Sequence, residues 1–189
     1  MKKNLLISVL MTAVTTVLLG LAYPLLVTGL AQILFPEKAN GQLIRRNGTV
    51  IASHIIAQPF VGAKYFHPRP SAAGTNGYDA SNSAGSNLGP TNQKLIDRVN
   101  GDVASAQAEN PGKPVPIDMV TTSGSGFDPH ITPAAAEFQL ARVAKARGIS
   151  EQAVRSLIAQ NTQARQWGLL GEPRVNVLDL NLALDSMSK

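Results

Sequence analysis

From Leu5 to Phe35 the chain runs for 31 residues without one Asp, Glu, Lys, Arg or His. A bilayer hydrocarbon core roughly 30 Å thick needs about 20 helical residues at about 1.5 Å rise each. The run can therefore cross a membrane with a turn or two to spare, which permits tilt or a helix that emerges into water. A cleaved export signal begins in the same way, with Lys2 and Lys3 ahead of an apolar stretch. Its apolar part, however, spans only about 7–15 residues before a small-residue cleavage site. Leu5 to Ala22 already exceeds that length and Gly29-Leu30-Ala31 is a poor cleavage match, so a retained anchor is expected. A pilin-like export helix would carry an acidic residue near its start, which this run lacks. Pro24 sits inside the run and removes one backbone hydrogen bond, predicting a kink or an end there.

Lys2, Lys3 and the terminal amine favour a cytoplasmic N-terminus, although Lys38, Arg45 and Arg46 flank the other side. The expected topology is a single pass through the cell inner (cytoplasmic) membrane, N-terminus in the cytoplasm and the rest outside. Absence of cysteine suits an exported domain without disulfides and a reducing compartment equally. The organisation expected is a transmembrane anchor helix over 1–35 and one extracytoplasmic α+β domain of mixed α/β content over 36–189, large enough for its own core. Setting Lys2 and Lys3 aside leaves 15 basic against 12 acidic residues, and aromatics make up 5% of the chain. So small an excess, with so few stacking side chains, argues against a nucleic-acid partner, and a retained anchor is expected to contact membrane lipid.

Inside the apolar run, Ser8, Thr12, Thr16 and Gly20 recur every fourth residue as a slowly drifting stripe of small side chains. In lipid such a stripe lets helices approach closely, although Ser and Thr hydroxyls also bond back to their own helix. Beyond Pro36, Leu43 to Ile56 reads as a β-hairpin around Asn47-Gly48, the favoured two-residue turn. Residues 71–92 hold four each of Gly, Ser, Asn and Ala. A loop of that length in a compact domain is functional or disordered; Tyr78, Leu88 and the turn Gly85-Ser86-Asn87-Leu88-Gly89-Pro90 favour an ordered one. A helix is predicted from Thr91 or Asn92 to the stop at Asn110-Pro111-Gly112, with Leu95, Val99 and Val103 on one face. Val115 to Thr122 reads as a strand. Thr132 and Pro133 open a helix that Gly148 closes, its apolar face using Phe138, Ala141, Val143 and Ala144, and Ser150 caps another with Val154, Leu157 and Ile158. Leu178, Leu180, Leu182 and Leu184 alternate with mostly polar residues, so Val175 to Leu184 reads as a half-buried strand.

Catalytic signals are sparse. Ser125, Asp128 and His130 supply the residue types of a hydrolytic triad, but a triad is set in space, and Ser125 lies in Ser-Gly-Ser-Gly rather than a nucleophile elbow. The ordinary role for the segment is a glycine-rich turn leading to a helix, with Asp128 bonding local amides. His54, His67 and His130 are isolated and no cysteine accompanies them, so no metal-ligand spacing exists. Gly112-Lys113 is followed by Pro114 and does not complete a phosphate-binding loop. Besides an accessory module, the readings left open are a membrane-anchored serine hydrolase using Ser125 and His130, and an anchored binding domain for envelope polymers.

Several strings carry more information. Tyr23-Pro24-Leu25-Leu26-Val27-Thr28-Gly29, Phe35-Pro36, Ala39-Asn40-Gly41 and Tyr65-Phe66-His67-Pro68-Arg69-Pro70-Ser71 stand in order along the chain. Gly85 to Pro90, Ser123 to Ile131, and Gly171-Glu172-Pro173-Arg174-Val175-Asn176-Val177-Leu178 follow. Together they resemble the C subunit of the Kdp potassium-transporting P-type ATPase over essentially the whole chain. That resemblance implies an accessory subunit in a four-subunit pump, without catalysis of its own and without a cofactor of its own; ATP and potassium belong to the complex. The implied partners are a channel-like potassium-binding subunit, a P-type ATP-hydrolysing subunit and a small peptide subunit. It also implies a catalytic-chaperone role that raises the ATP affinity of the hydrolysing subunit, which conflicts with a domain outside the membrane. Within this reading the candidate partner-facing residues are Ser8, Thr12, Thr16 and Gly20 of the anchor, the turn Gly85, Ser86, Asn87, Leu88 and Gly89, and the turn Ser123, Gly124, Ser125, Gly126, Asp128 and His130. One departure is Ala84, where the family commonly has glycine; a need for positive φ there would be in conflict with alanine.

Overall fold

The computed structural model describes residues 1–187 and divides the chain into two compact units, Met1–Ser53 and His54–Lys189. In the first unit, α1 (Lys2–Thr15), a π-helical segment (Thr16–Ala22) and α2 (Tyr23–Leu34) follow without a break. The resulting helix of 33 residues contains an 18-residue stretch of mean hydropathy 2.3, none of it buried, so it is long and apolar enough to cross a membrane. Pro24 neither ends it nor acts alone. Its ring excludes the carbonyl four residues back, and the π segment immediately before it loosens the ladder, with Tyr23 N–H reaching Leu18 O instead of a carbonyl four residues away. Phe35, at φ −140°, closes the helix, and Pro36 opens the single turn α3 (Pro36–Ala39). Asn40 Nδ2 donates to Gln32 Oε1 at 3.0 Å across that break.

The predicted hairpin is present as β1 (Leu43–Arg46) and β2 (Thr49–Ser53). Arg46 pairs with Thr49, leaving Asn47 and Gly48 as a two-residue turn. Their φ values, +52° and +80°, are those the primed hairpin turn requires. A bulge between Ile44 and Arg45 shifts the register, and Ser53 Oγ donates to Gly41 O at 2.6 Å to close the base.

The second unit is an α+β arrangement. Its core gathers α5 (Pro133–Arg147), α6 (Glu151–Gln160) and α7 (Val177–Met187) around a small antiparallel sheet, ordered β3 (His130–Ile131), β5 (Arg174–Asn176), β4 (Thr162–Gln163). Val175 sits at the centre, opposite Ile131 on one side and Thr162 on the other, and is fully buried. Both predicted helix starts hold: Thr132 Oγ1 accepts from Ala135 N at 3.1 Å and Ser150 Oγ from Ala153 N at 3.2 Å. Gly148 ends α5 in the left-handed region at φ +67°. Phe138, Val143 and Ala144 are buried as expected and Ala141 half-buried, while Ala135, Ala136 and Leu140 join them. α4 (Gln93–Glu109) begins where predicted, Asn92 Oδ1 accepting from Lys94 N at 2.9 Å.

Two expected strands are corrected. Val115 to Thr122 contains a 3₁₀ turn, Ile117–Met119, in place of a strand. Pro114 and Pro116 have no N–H to give a ladder, and the buried Asp118 instead accepts from Thr132 N at 2.6 Å and Thr132 Oγ1 at 3.1 Å. Val175 to Leu184 is strand only to Asn176, after which it is α7. Asn176 makes that switch by capping: its Oδ1 accepts from Leu178 N at 3.0 Å and Asp179 N at 3.2 Å. Val177, Leu180, Asn181 and Leu184 then bury at helical spacing, whereas Leu182 is only half-buried.

Candidate functional site: a cleft framed by two loops

Two buried amides hold the segment Tyr65–Pro70 in place. Asn181, on α7, accepts from Phe66 N at 2.9 Å and donates to Phe66 O at 3.0 Å. Gln139, on α5, does the same for the next residue, accepting from His67 N at 2.7 Å and donating to His67 O at 3.1 Å. The extended backbone thus gets from side chains what a sheet neighbour would supply. Pro68 and Pro70 flank Arg69 and restrict the backbone around it.

Arg69 joins the pieces of the site. Its guanidinium lies 3.3 Å from Asp128 Oδ2 and donates to Thr121 O, Thr121 Oγ1 and Thr122 O at 3.3–3.5 Å. Its carbonyl accepts from the Tyr78 hydroxyl at 2.5 Å. Burial of that phenol pushes its pKa up to about 12. Ser71 Oγ donates to Gly126 O at 2.8 Å and accepts from Ala73 N and Tyr78 N, which pins the long loop to the Ser123–His130 turn. Farther along, Ala84 N and Ser83 Oγ both donate to Ser125 O, at 3.1 and 3.0 Å.

The two candidate turns, distant in sequence, therefore meet. A Cβ on Gly85 would stand 3.0 Å from Gly124 O. Gly126 is tighter still: at φ +77°, its Cβ would lie 2.6 Å from Ala73 Cβ and 2.8 Å from Ala84 O. Ser86 and Leu88 are half-buried, Asn87 is exposed at φ +52°, and Gly89 faces open space. Ala84 is not among the positive-φ residues, so alanine meets no backbone demand at that position.

Asp128 Oδ1 accepts from His130 N at 3.0 Å and lies 3.1 Å from His130 Nδ1. Burial opposes ionisation of this carboxyl, but the hydrogen bonds from His130 and the charges of His130 and Arg69 outweigh it and hold the pKa below the usual carboxylate value. Ser125 Oγ accepts from Phe127 N at 3.1 Å, and among the described residues no hydrogen bond joins it to His130. Beside the turn opens a cleft of about 230 Å³, lined by Arg69, Asp118, Asp128, His130, Glu172 and Arg174 among others. Two arginines and three carboxylates share its lining. Arg69 is committed to Asp128 and the Thr121–Thr122 backbone, and Glu172 to Arg165 at 2.6 Å. The arrangement suits recognition of a surface with mixed charge rather than attack on a bound electrophile.

Sequence reasoning found the Asp128 and His130 side of this cleft and missed Arg69, Asp118, Glu172 and Arg174. Arg69 did carry a signal, a lone cation between two prolines. Asp118 carried none, because its role depends on Thr132 fourteen residues away. Of the anchor stripe, Ser8 Oγ donates to Leu5 O at 2.9 Å, bonding back within the helix. Thr16 and Gly20 remain neighbours in the π segment, with Thr16 Cγ2 3.8 Å from where a Gly20 Cβ would stand.

A single helix long and apolar enough to cross a membrane, followed by an α+β unit whose cleft is lined by hydrogen-bonded charged side chains, is the class of protein that the fold and site define. The chain belongs to the KdpC family, described as "K+-transporting ATPase, c chain", whose model matches residues 5–186. Relatives named "Potassium-transporting ATPase KdpC subunit" include that of Koribacter versatilis (strain Ellin345), 69% identical over 98% of this chain and 95% of its own length. That of Rhodospirillum rubrum is 62% identical over 92% of this chain and 90% of its own. That of Acidobacterium capsulatum is 60% identical over 95% and 96%.

Proposed function

We propose that this chain is the non-catalytic accessory subunit of an ATP-driven, high-affinity potassium uptake pump, required for assembly of the complex. The observation that carries the reading is the family match over residues 5–186. The Ser123–His130 turn supports it, since Ser125 and His130 are each bonded within the turn instead of to one another. The partners in this reading are the channel-like potassium-binding subunit, the P-type ATP-hydrolysing subunit and the small peptide subunit. The helix Lys2–Leu34 meets the channel-like subunit through Thr12, Thr16 and Gly20, with the π segment inside that contact. Gly85–Gly89 and Ser123–His130, which the structure joins into one surface, face partners too. ATP and potassium are handled by the complex, and with the second unit outside the membrane this chain influences ATP affinity through its partners.

Deleting the gene should abolish high-affinity potassium uptake and leave the remaining subunits unassembled; normal uptake in its absence would overturn the reading. Topology has its own test, because the chain contains no cysteine. A Lys113→Cys variant, changed at an exposed position, should react with a membrane-impermeant maleimide in intact spheroplasts. Labelling only after permeabilisation would place the unit in the cytoplasm. Replacing Leu5–Ala22 by leucine should keep the chain in the membrane yet lose the complex; unimpaired transport would reduce the helix to a tether.

A further inference from the structure

Between β4 and β5 the chain leaves the sheet as a short stalk with an apolar tip. At the tip Trp167 is 88% exposed, Leu169 79% and Leu170 54%. Trp167 is the chain's sole tryptophan. The tip is held rather than loose. Gln166 N donates to Leu170 O at 2.9 Å and Leu170 N to Gln166 O at 3.0 Å, while Leu169 N and Gly168 N close the turn onto Gln166 O and Arg165 O. Below it, Arg165 pairs with Glu172 at 2.6 Å and Arg174 Nε donates to Gln163 Oε1 at 3.2 Å, bracing the stalk. Trp167 itself adopts φ +53°, a left-handed conformation that bulky residues rarely take and that persists where surrounding bonds impose it. A water-exposed indole held in that state loses hydrophobic free energy that a flexible loop could recover by folding the ring back.

We propose that this tip is a docking element that inserts Trp167 and Leu169 into an uncharged apolar pocket on another chain of the ATPase; the inference rests on the subunit reading above. Large aromatic side chains in fully desolvated pockets dominate the binding energy of protein interfaces. Charge argues for a protein pocket over the bilayer surface. Interfacial lipid-binding elements pair apolar side chains with free Lys and Arg, whereas the charges of the stalk from 163 to 174 are Arg165 and Glu172, paired with each other, and Arg174, held to Gln163 at its base. Size argues against a second copy of the chain. Three side chains fall well short of the roughly 1,000 Å² that a free-standing interface needs. So small a contact suffices where other contacts already hold the partners together at high effective concentration. Its base is continuous with the candidate cleft, since Glu172, Pro173 and Arg174 belong to both.

The test places the photo-cross-linker p-benzoyl-phenylalanine at position 167 in the full complex in cells. Irradiation should yield one adduct between this chain and a partner chain. Adducts only with lipid or with a second copy, or no adduct from an intact complex, would overturn the proposal. In parallel, Trp167→Ala combined with Leu169→Ala should reduce partner chains recovered with tagged protein by about 30-fold, as expected for loss of an aromatic hot spot. Trp167→Phe should restore most of the recovery, and the melting curve of the chain alone should not move. Undiminished recovery with the double variant would remove the tip while leaving the subunit reading intact. Failure of the wild-type chain to recover any partner would remove both.

Discussion

Asn181 offers the sharpest test of how the site is held. It is 1% exposed, and both its amide groups are committed to the main chain of Phe66, itself fully buried. Asn181→Leu keeps the side chain's approximate volume but offers Phe66 N–H and C=O no partner, and water cannot reach them. Each buried group left unsatisfied costs about 1–3 kcal/mol, so the pair costs about 2–6 kcal/mol, partly offset by the apolar side chain. For a unit of this size each kcal/mol moves the midpoint by about 3–5 °C, and a fall of about 10 °C is expected. Circular dichroism of the whole chain in detergent reads it, because the anchor helix stays folded in the micelle while the second unit melts. Asn181→Asp sharpens the test. It keeps the acceptor for Phe66 N–H, loses the donor and buries a charge, which raises the carboxyl pKa in the folded state. Stability then returns as pH falls and the carboxyl protonates, and is lost as pH rises through the folded value. A Leu variant melting within about 2 °C of wild type, or an Asp variant indifferent to pH, would show that the clamp does not hold the segment, since one unsatisfied group alone predicts more.

Other expectations follow from single contacts. Gly126→Ala must place a methyl into Ala73 Cβ and Ala84 O from a left-handed backbone, and should destabilise the unit by about 1–3 kcal/mol, whereas Gly89→Ala, which meets nothing, should be neutral in the same melt. Tyr78, with its pKa raised to about 12, contributes stability that is complete below the unfolded value of about 10 and is lost as pH rises through the folded one. Absorbance titration at alkaline pH should show one tyrosine lagging, and Tyr78→Phe should remove that laggard. For Asp128 the sign reverses: its depressed pKa gives stability present above about pH 4 and lost as pH falls through the folded value, so Asp128→Asn should flatten the acid limb of the melting profile.

What the sequence made legible were features that one local rule decides. Thr132-Pro133, Ser150, Gly148 and Asn47-Gly48 each fix their own backbone through a cap, a stop or a turn, and each stands where it was expected. Misreadings arose where a residue's partner is remote or where two periodicities coincide. The alternation of leucines from 178 to 184 fits a strand as well as it fits a helix that buries 177, 178, 180, 181 and 184. Only the capping bonds of Asn176, whose Nδ2 also donates to the backbone of His54 at 2.7 Å, decide between them. Val115 to Thr122 failed as a strand because its apolar residues are interrupted by Pro116 and by Asp118, a carboxylate whose partner is Thr132.

The site shows the same division more sharply. Each glycine-rich turn was recognisable alone, but nothing in either says that they touch. That contact is made by the hydroxyl of Ser71 and the carbonyls of Ser125 and Gly126, and it tolerates a side chain at 84 but none at 126. The charges of the cleft behave likewise. Arg69 appears in the sequence as an isolated cation, yet it ties Asp128 to the Thr121–Thr122 backbone, and Tyr78 in turn ties its carbonyl to the long loop. A surface assembled from four separate strings, with its charged side chains already hydrogen-bonded within the unit, has its shape fixed before a partner arrives. Binding to it then forgoes the cost of ordering those loops, as an assembly subunit requires, whereas the nucleophile–base hydrogen bond that a serine hydrolase requires is not formed between Ser125 and His130.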